Sequence, residues 1–159
     1  MSNPTSVERK SERELVITRT FDGPAHLVFE AWTTPELIKR WWTPKSFGMS
    51  FLSCEADVRT GGTYRFVFSH PAFEQPMAFF GKYIEVTPNS RIVWTNEESA
   101  DGAISTLTFE EKGGKTLLVL HELYPSKQAL DDAMSSGSPG AAGEQFEELD
   151  EVLATLMRS

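Results

Sequence analysis

Three histidines and one cysteine are the side chains of this sequence whose types best suit metal binding or nucleophilic chemistry. His26, His70 and His121 lie in separate segments, without the close spacing that the ligands of a metal site show. Cys54 has no helix start or nearby basic residue to lower its pKa, which predicts a small buried core residue. The sequence contains no nucleophile elbow, phosphate-binding loop, dinucleotide-binding glycine pattern or zinc-protease motif. We therefore predict no catalytic centre, metal or cofactor from these motifs.

Glu122 is the carboxylate best placed to act inside the protein. If Leu118 and Leu120 face inward along their strand, Glu122 does too, because strand side chains alternate between faces. An inward carboxyl in apolar surroundings would have a raised pKa and could act as a general acid or base. The alternative, which we favour, is a structural ion pair with Arg19 or Arg65. Arg19 interrupts the apolar face of its own strand, either as a structural ion pair or as a cation that meets an acidic ligand.

His70 ends a strand whose aromatic residues recur at every second position. Tyr64, Phe66 and Phe68 share one face, and His70 continues it. This placement makes His70 either a ligand-contacting or acid–base group, or a hydrogen-bonded structural residue at a strand end. The structural role is the interpretation we favour.

Seven segments rich in β-branched and aromatic residues predict strands, and the last six form a consecutive antiparallel meander. The Phe79-Phe80-Gly81 run breaks the alternation and predicts a bulge, so the faces of residues 77–87 and 91–97 stay unassigned. The predicted strands are 14–21, 49–58, 61–70, 77–87, 91–96, 103–111 and 116–123.

Helix signals occur in two regions, after the first strand and after the last one. Asp22 or Gly23 is predicted to cap a first short helix, and Thr34-Pro35-Glu36 predicts the start of a second. Ser126 is predicted to cap a helix over residues 127–135. Residues 144–157 carry one apolar stripe at helical spacing, which predicts the main cover of the sheet. The stripe consists of Phe146, Leu149, Leu153, Leu156 and Met157.

Length and composition indicate one domain. The chain has 159 residues, and no linker or repeat divides it, so we predict a flexible segment 1–13 and a single domain over 14–159. A net charge of −8 disfavours binding to nucleic acid or anionic membranes. No apolar run is long enough to span a membrane and no secretion signal is evident, which predicts a cytoplasmic protein without membrane insertion. The acidic residues of 144–151 form either a solvated helix face or a partner-binding surface.

Several local motifs resemble one known family over nearly the whole chain. They are Thr18–Phe21, Ala31–Thr33, Arg40–Pro44, Gly61–Phe66, Gly81–Pro88 and Leu149–Leu153. In this order and spacing they resemble the heat-shock-protein-90 ATPase activator homologue family of the START-like polyketide cyclase superfamily. The resemblance implies an α+β helix-grip fold (START/Bet v-like), in which a seven-stranded antiparallel sheet curves around a long C-terminal helix. The glycines and proline of 137–143 depart from the family pattern and suggest a mobile gate.

The same resemblance implies a cavity between the sheet and the last helix, suited to a small apolar or aromatic ligand. Two alternatives stay open: a co-chaperone that regulates a chaperone ATPase, and a cyclase- or hydrolase-like enzyme that uses Glu122 or His70. A homodimer is compatible with the sequence. Trp32 and Trp42 belong to the core or to the cavity wall. The predicted ligand-binding residues are Trp41, Tyr64, Phe66, Phe68, His70, Phe79, Tyr83, Trp94, Leu107, Phe109, Leu120, Glu122, Phe146, Leu149 and Leu153.

Overall fold

A computed structural model of the protein describes residues 5–42, 48–72, 74–97, 102–136 and 142–158. Its elements, in chain order, are β1 (Ser6–Arg9), β2 (Glu14–Phe21), α1 (Ala25–Thr33), α2 (Pro35–Trp41), β3 (Ser50–Ala56), β4 (Thr63–Ser69), β5 (Met77–Thr87), β6 (Arg91–Thr95), β7 (Ile104–Lys112), β8 (Lys115–Leu123), α3 (Lys127–Ser136) and α4 (Ala142–Met157). The strands form one antiparallel sheet in the order β1-β2-β8-β7-β6-β5-β4-β3. No described helix has the length and apolar character needed to cross a membrane. The predicted α+β helix-grip architecture is confirmed.

The sheet has eight strands, so the prediction of seven is wrong by one. The additional strand is β1, which pairs antiparallel with β2 from Ser6 opposite Thr18 to Arg9 opposite Leu15. All four residues of β1 are exposed. Backbone hydrogen bonds to an edge strand require no apolar alternation, and this polar segment therefore carries no sequence signal for a strand.

The inner face of the sheet forms the floor of the core. Tyr64, Phe66 and Phe68 of β4 are buried, as their alternation predicts. Ser105 and Leu107 of β7 face the same side, and the register places them opposite inward residues of β6 and β8. The inner face is therefore a continuous, mostly apolar surface from β4 to β8, with Tyr83 of β5 between β4 and β6.

The bulge in β5 lies further along the strand than predicted. The register between β5 and β6 shifts between Tyr83 and Glu85, which brings Val86 opposite the buried Ile92. Gly81 itself allows a close approach of two backbones, since a Cβ atom at this position would lie 2.1 Å from the carbonyl oxygen of Thr95. The Phe79-Phe80-Gly81 sequence therefore reflects this close contact with the Thr95 backbone and not the bulge.

The two short helices begin differently from one another. The N-cap residue of α1 is Pro24, not the predicted Asp22 or Gly23, and the N–H of Ala25 donates to Glu111 Oε1 of β7 at 2.7 Å. A carboxylate from the sheet thus satisfies a helix N-terminus that the local sequence leaves open. Thr34 is the N-cap of α2, as predicted, with Pro35 in the first turn.

The last two helices follow the sequence signals. Ser126 Oγ accepts the N–H of Ala129 at 3.1 Å, which confirms the predicted cap of α3. α4 buries most of its apolar stripe, but Met157 is 52% exposed. Phe146 of α4 packs edge-on against Phe21 of β2, with ring centroids 5.5 Å apart. The predicted gate falls mostly outside the described residues, because these include only 142 and 143 of the segment 137–143.

A buried ion pair connects α4 to the sheet. The side chain of Arg19 in β2 is completely buried, donates to Asp150 Oδ2 and lies 3.7 Å from Glu147 Oε1. Its guanidinium carbon lies 4.9 Å from the centre of the Phe21 ring. Arg19 is therefore a structural cation, the first of its two predicted roles. Burial raises the pKa of Asp150 more than the Arg19 charge lowers it, so the pair positions α4 rather than giving a large electrostatic gain.

Removal of Asp150 should destabilise the protein strongly, because it leaves a buried guanidinium without its closest partner. We expect Asp150→Ala to lower the free energy of unfolding by about 3 kcal/mol, the lower end for buried pairs, since Asp150 is 27% exposed and Glu147 remains. The measurement is urea unfolding. Lys39→Ala, which removes an exposed pair with Glu36, should cost less than about 1 kcal/mol. An Asp150→Ala protein as stable as wild type would show that the apolar stripe alone holds α4.

Candidate functional site

A cavity of about 270 Å³ lies between the inner face of the sheet, the two short helices and the first turns of α4. Most of the groups around it are apolar, with a small number of polar side chains. Its lining residues are Ile17, Trp32, Trp41, Trp42, Tyr64, Phe79, Trp94, Asn96, Ser105, Leu120, Glu122, Tyr124, Ala142, Gln145 and Phe146. This composition is typical of small-molecule sites, where a few polar groups orient a mostly apolar ligand.

Trp32 is the centre of the aromatic wall. Its ring centroid lies 4.5 Å from that of Trp41, 6.3 Å from Trp42, 6.0 Å from Trp94 and 6.4 Å from Phe146. Three of these four contacts are edge-to-face, the geometry that aromatic quadrupoles favour. The rings come from α1, α2, β6 and α4, so the wall is preformed by contacts among four elements.

The two inner indole N–H groups differ in their partners. Trp41 Nε1 donates to the carbonyl oxygen of Ala31 at 3.0 Å. Trp32 Nε1 is buried, and no described residue accepts its hydrogen. Because an unpaired buried donor costs about 1–3 kcal/mol, the Trp32 N–H is a hydrogen-bonding group to which a ligand acceptor would bind favourably.

Three polar side chains, those of Asn96, Ser105 and Glu122, form a hydrogen-bonded chain along the cavity floor, and the Tyr64 hydroxyl lies beside it. The Tyr64 hydroxyl donates to the carbonyl oxygen of Thr95 at 2.7 Å and lies 3.4 Å from Asn96 Oδ1. Asn96 Nδ2 is 3.0 Å from Ser105 Oγ, and Ser105 Oγ is 3.0 Å from Glu122 Oε2. The chain runs from the residue after β6 through β7 to β8, and it ends at the one carboxyl group among the described lining residues.

Glu122 is half-buried and lines the cavity. Burial raises the pKa of Glu122, while the hydrogen bond from Ser105 and the nearby His121 lower it to a smaller extent. Tyr124 lines the same cavity, and the pKa of its phenol is also raised, mainly by burial and further by Glu122. The predicted opposite orientation of His121 is observed: its Nε2 lies 2.8 Å from Glu14 Oε2 on the outer face.

The favoured ion pair of Glu122 with Arg19 or Arg65 is wrong. Arg19 pairs with Asp150, and the side chain of Arg65 is exposed on the outer face of the sheet. Glu122 is opposite Leu15 in the register, four pairs away from Arg19, which is opposite Leu118. The alternation of β8 therefore predicted the direction of Glu122, but nothing in the sequence indicated that a serine would be its partner.

The predicted site residues divide into three groups. Seven line the 270 Å³ cavity: Trp41, Tyr64, Phe79, Trp94, Leu120, Glu122 and Phe146. Phe66 and Tyr83 line only an adjacent space of about 20 Å³, enough for roughly one water molecule. The other six lie outside both spaces, although they remain predicted ligand contacts: Phe68, His70, Leu107, Phe109, Leu149 and Leu153.

His70 and Cys54 lie away from the cavity. His70 Nδ1 accepts the N–H of Ala72 at 2.9 Å in the turn after β4, in agreement with the structural role. Burial raises the pKa of Cys54 to about 11, and its Sγ contacts the Pro35 carbonyl oxygen at 3.7 Å. The thiol is therefore protonated at neutral pH and unreactive.

Eight lining residues are absent from the predicted ligand-binding set, although Trp32 and Trp42 were predicted as core or cavity wall. They are Ile17, Trp32, Trp42, Asn96, Ser105, Tyr124, Ala142 and Gln145. Ser105 shares the alternation of Leu107, which would have indicated its inward direction. Asn96 and Tyr124 follow strand ends, where alternation gives no prediction. Gln145 enters the site because α4 begins at Ala142, and its Nε2 donates to the carbonyl oxygen of Trp42.

Within the described residues, no group of three or more His, Cys, Asp or Glu side chains is arranged to hold a metal ion. Among the described residues that line the cavity, Glu122 is the single carboxylate, and no histidine or cysteine accompanies it. The chemistry that this arrangement supports is hydrogen bonding to a mostly apolar guest.

Comparison with known proteins identifies the family. The family model of the activator of Hsp90 ATPase homolog 1-like protein matches residues 22–154. Among solved structures, a Rhodobacter sphaeroides protein superposes with a TM-score of 0.87 at 23% identity, over 96% of this chain and 99% of that one. A Nitrosomonas europaea protein gives a TM-score of 0.84 at 22% identity, over 95% and 100%. No protein of curated function matches the sequence significantly. The chain belongs to the activator of Hsp90 ATPase homolog 1-like family.

Replacement of the Glu122 carboxyl by an amide should stabilise the protein at high pH. A carboxyl whose pKa is raised on folding contributes stability below its unfolded pKa, and this contribution is lost as pH rises through the folded pKa. Glu122→Gln, which can still accept from Ser105, should therefore be more stable than wild type at pH 8, by about 1–3 kcal/mol.

Thermal unfolding from pH 4.5 to pH 8.5 is the measurement, and the advantage of Glu122→Gln should shrink toward acid. The other ionisable groups around Glu122 are Tyr124 in the cavity and the His121–Glu14 pair on the outer face. They are common to both proteins, so the difference between the two curves reports Glu122. A constant difference at every pH would contradict a raised pKa.

Proposed function

We propose that this protein binds a small apolar or aromatic molecule in the 270 Å³ cavity between the sheet and α4. The observation that carries the proposal is the preformed wall of four tryptophans above a floor that includes one short polar chain. Known pockets for small ligands combine such an apolar lining with a few oriented polar groups. Binding to a preformed site avoids much of the cost of ordering side chains.

The cavity volume limits the ligand size. An apolar cavity of about 150 Å³ accommodates benzene, so 270 Å³ suits one or two fused rings with a small substituent. A long acyl chain would need more space than the described residues enclose. We therefore expect compact aromatic molecules to be better ligands than fatty acids.

Compact aromatic ligands should raise the melting temperature and change tryptophan fluorescence, because all four tryptophans of the chain line the cavity. A ligand at 100 times its dissociation constant should stabilise the fold by about 2.7 kcal/mol. A thermal-shift screen of neutral one- and two-ring molecules, followed by fluorescence titration of the hits, makes this measurement.

A matched pair of variants locates the binding site. Leu120→Phe adds a ring inside the cavity and should weaken binding at least tenfold, while Leu117→Phe adds the same ring to the outer face of the same strand and should leave affinity unchanged. Equal affinities for both variants would place the ligand elsewhere. No melting shift across the whole screen would contradict ligand binding.

The family match favours a second candidate, regulation of a chaperone ATPase. The family description names this activity, but none of the described contacts points to a chaperone-binding surface. If the second candidate is right, purified protein should stimulate ATP hydrolysis by the host's Hsp90-type chaperone, and Leu120→Phe should stimulate equally because the cavity is not the contact surface. ATPase rates unchanged at a tenfold molar excess would eliminate this candidate.

A further inference from the structure

The charges around the cavity select the class of ligand. No Lys, Arg or His occurs among the described residues that line the cavity, and Arg19, the buried cation of β2, is paired with Asp150. An anionic ligand would have to leave its charge in an apolar space without a counterion, which is strongly unfavourable. The cavity is therefore unsuited to carboxylates, sulfonates and phosphates.

The hydrogen bonds of the polar chain have a definite direction. Asn96 Nδ2 lies 2.7 Å from the carbonyl oxygen of Ala103, which can only accept, so this atom is the amide nitrogen. The second amide hydrogen points to Ser105 Oγ at 3.0 Å. Ser105 Oγ accepts from Asn96 and donates its own hydrogen to Glu122 Oε2 at 3.0 Å.

This direction leaves Glu122 Oε1 as the second oxygen of a carboxyl that lines the cavity. Oε2 accepts from Ser105, and Oε1 has no hydrogen-bond partner among the described residues. In the neutral carboxyl the proton therefore resides on Oε1, where it can be donated to a guest. Burial, which favours the neutral form, supports this state of the group.

Two further donors belong to the same lining. Trp32 Nε1–H is buried without an acceptor among the described residues, and the Tyr124 phenol stays protonated at neutral pH because burial raises its pKa. The cavity therefore presents three hydrogen-bond donors, which are Glu122 of β8, Tyr124 just after β8 and Trp32 of α1. A guest that satisfies them must supply acceptors.

We propose that the ligand is an uncharged compact aromatic molecule that carries a carbonyl oxygen, which accepts a hydrogen bond from Glu122. This inference rests on the proposed function and specifies its ligand class. The aromatic body of the guest fills the space beside Trp32 and Trp94, and its carbonyl oxygen lies at the end of the polar chain.

Four naphthalene probes of nearly the same shape test the inference by ligand-observed NMR at pH 7. They are naphthalene, the ketone 2-acetylnaphthalene, the anion 2-naphthoate and the cation 2-naphthylmethylammonium. One neutral hydrogen bond predicts that the ketone binds about 3- to 10-fold more tightly than naphthalene. The anion should bind at least tenfold more weakly than the ketone.

Variants at Glu122 separate donation from packing. Glu122→Gln keeps a donor in the cavity and should preserve the advantage of the ketone, while Glu122→Leu removes the donor and should abolish it. Naphthalene itself should bind Glu122→Leu at least as well as wild type. Glu110→Leu, an exposed position on β7, is the control and should change no affinity.

The outcomes distinguish this inference from the proposed function. If naphthalene binds and the ketone binds no more tightly, the inference is overturned and the cavity remains a ligand site. If the ammonium probe binds most tightly and Glu122→Gln loses it, Glu122 holds a cation as a carboxylate and the inference is likewise overturned. If none of the four probes binds the wild-type protein, the proposed function and the inference both fail.

Discussion

The separation between the sheet and α4 is the constraint on which the rest of the structure depends. α4 must cover the inner face of the sheet without collapsing onto it, because the space between them is the cavity. At one end Phe146 packs on Phe21, and further along the helix Asp150 meets the buried Arg19. The arginine side chain is long, its guanidinium is planar and rigid, and its charge cannot be left unpaired in the interior. The Arg19–Asp150 pair therefore sets the distance between α4 and the sheet.

The cavity persists because the groups around it are fixed by other contacts. Trp32 is held by four neighbouring rings, and Trp41 by a hydrogen bond to Ala31. Large rings in edge contact cannot repack into an irregular space as a flexible methionine would. The aromatic residues thus serve the core and the cavity wall at once, and the two interpretations of the tryptophans are compatible.

The sequence predicted the parts of this molecule that depend on local periodicity. The alternation of Tyr64, Phe66 and Phe68 gave the inner face of β4, and the same rule gave the direction of Glu122. Partners were harder to predict, because they depend on register and on chain ends. Glu122 meets Ser105 because β7 and β8 pair with those two residues opposite each other, a fact that neither segment encodes alone. β1 was missed because pairing with an existing sheet edge requires only backbone groups, which leave no pattern in the sequence.

Glu122 is the residue whose presence the fold does not explain. An apolar residue would continue the inward series of Leu118 and Leu120 without the cost of burying a carboxyl. The hydrogen-bonded chain that ends at Glu122 is also incomplete, because in a structural network every buried polar atom is paired. A costly buried polar group at a position where an apolar residue would be more stable is characteristic of a functional site. The energetic argument and the geometry of the cavity therefore lead to the same group, the Glu122 carboxyl, as the point at which we propose that one guest is distinguished from another.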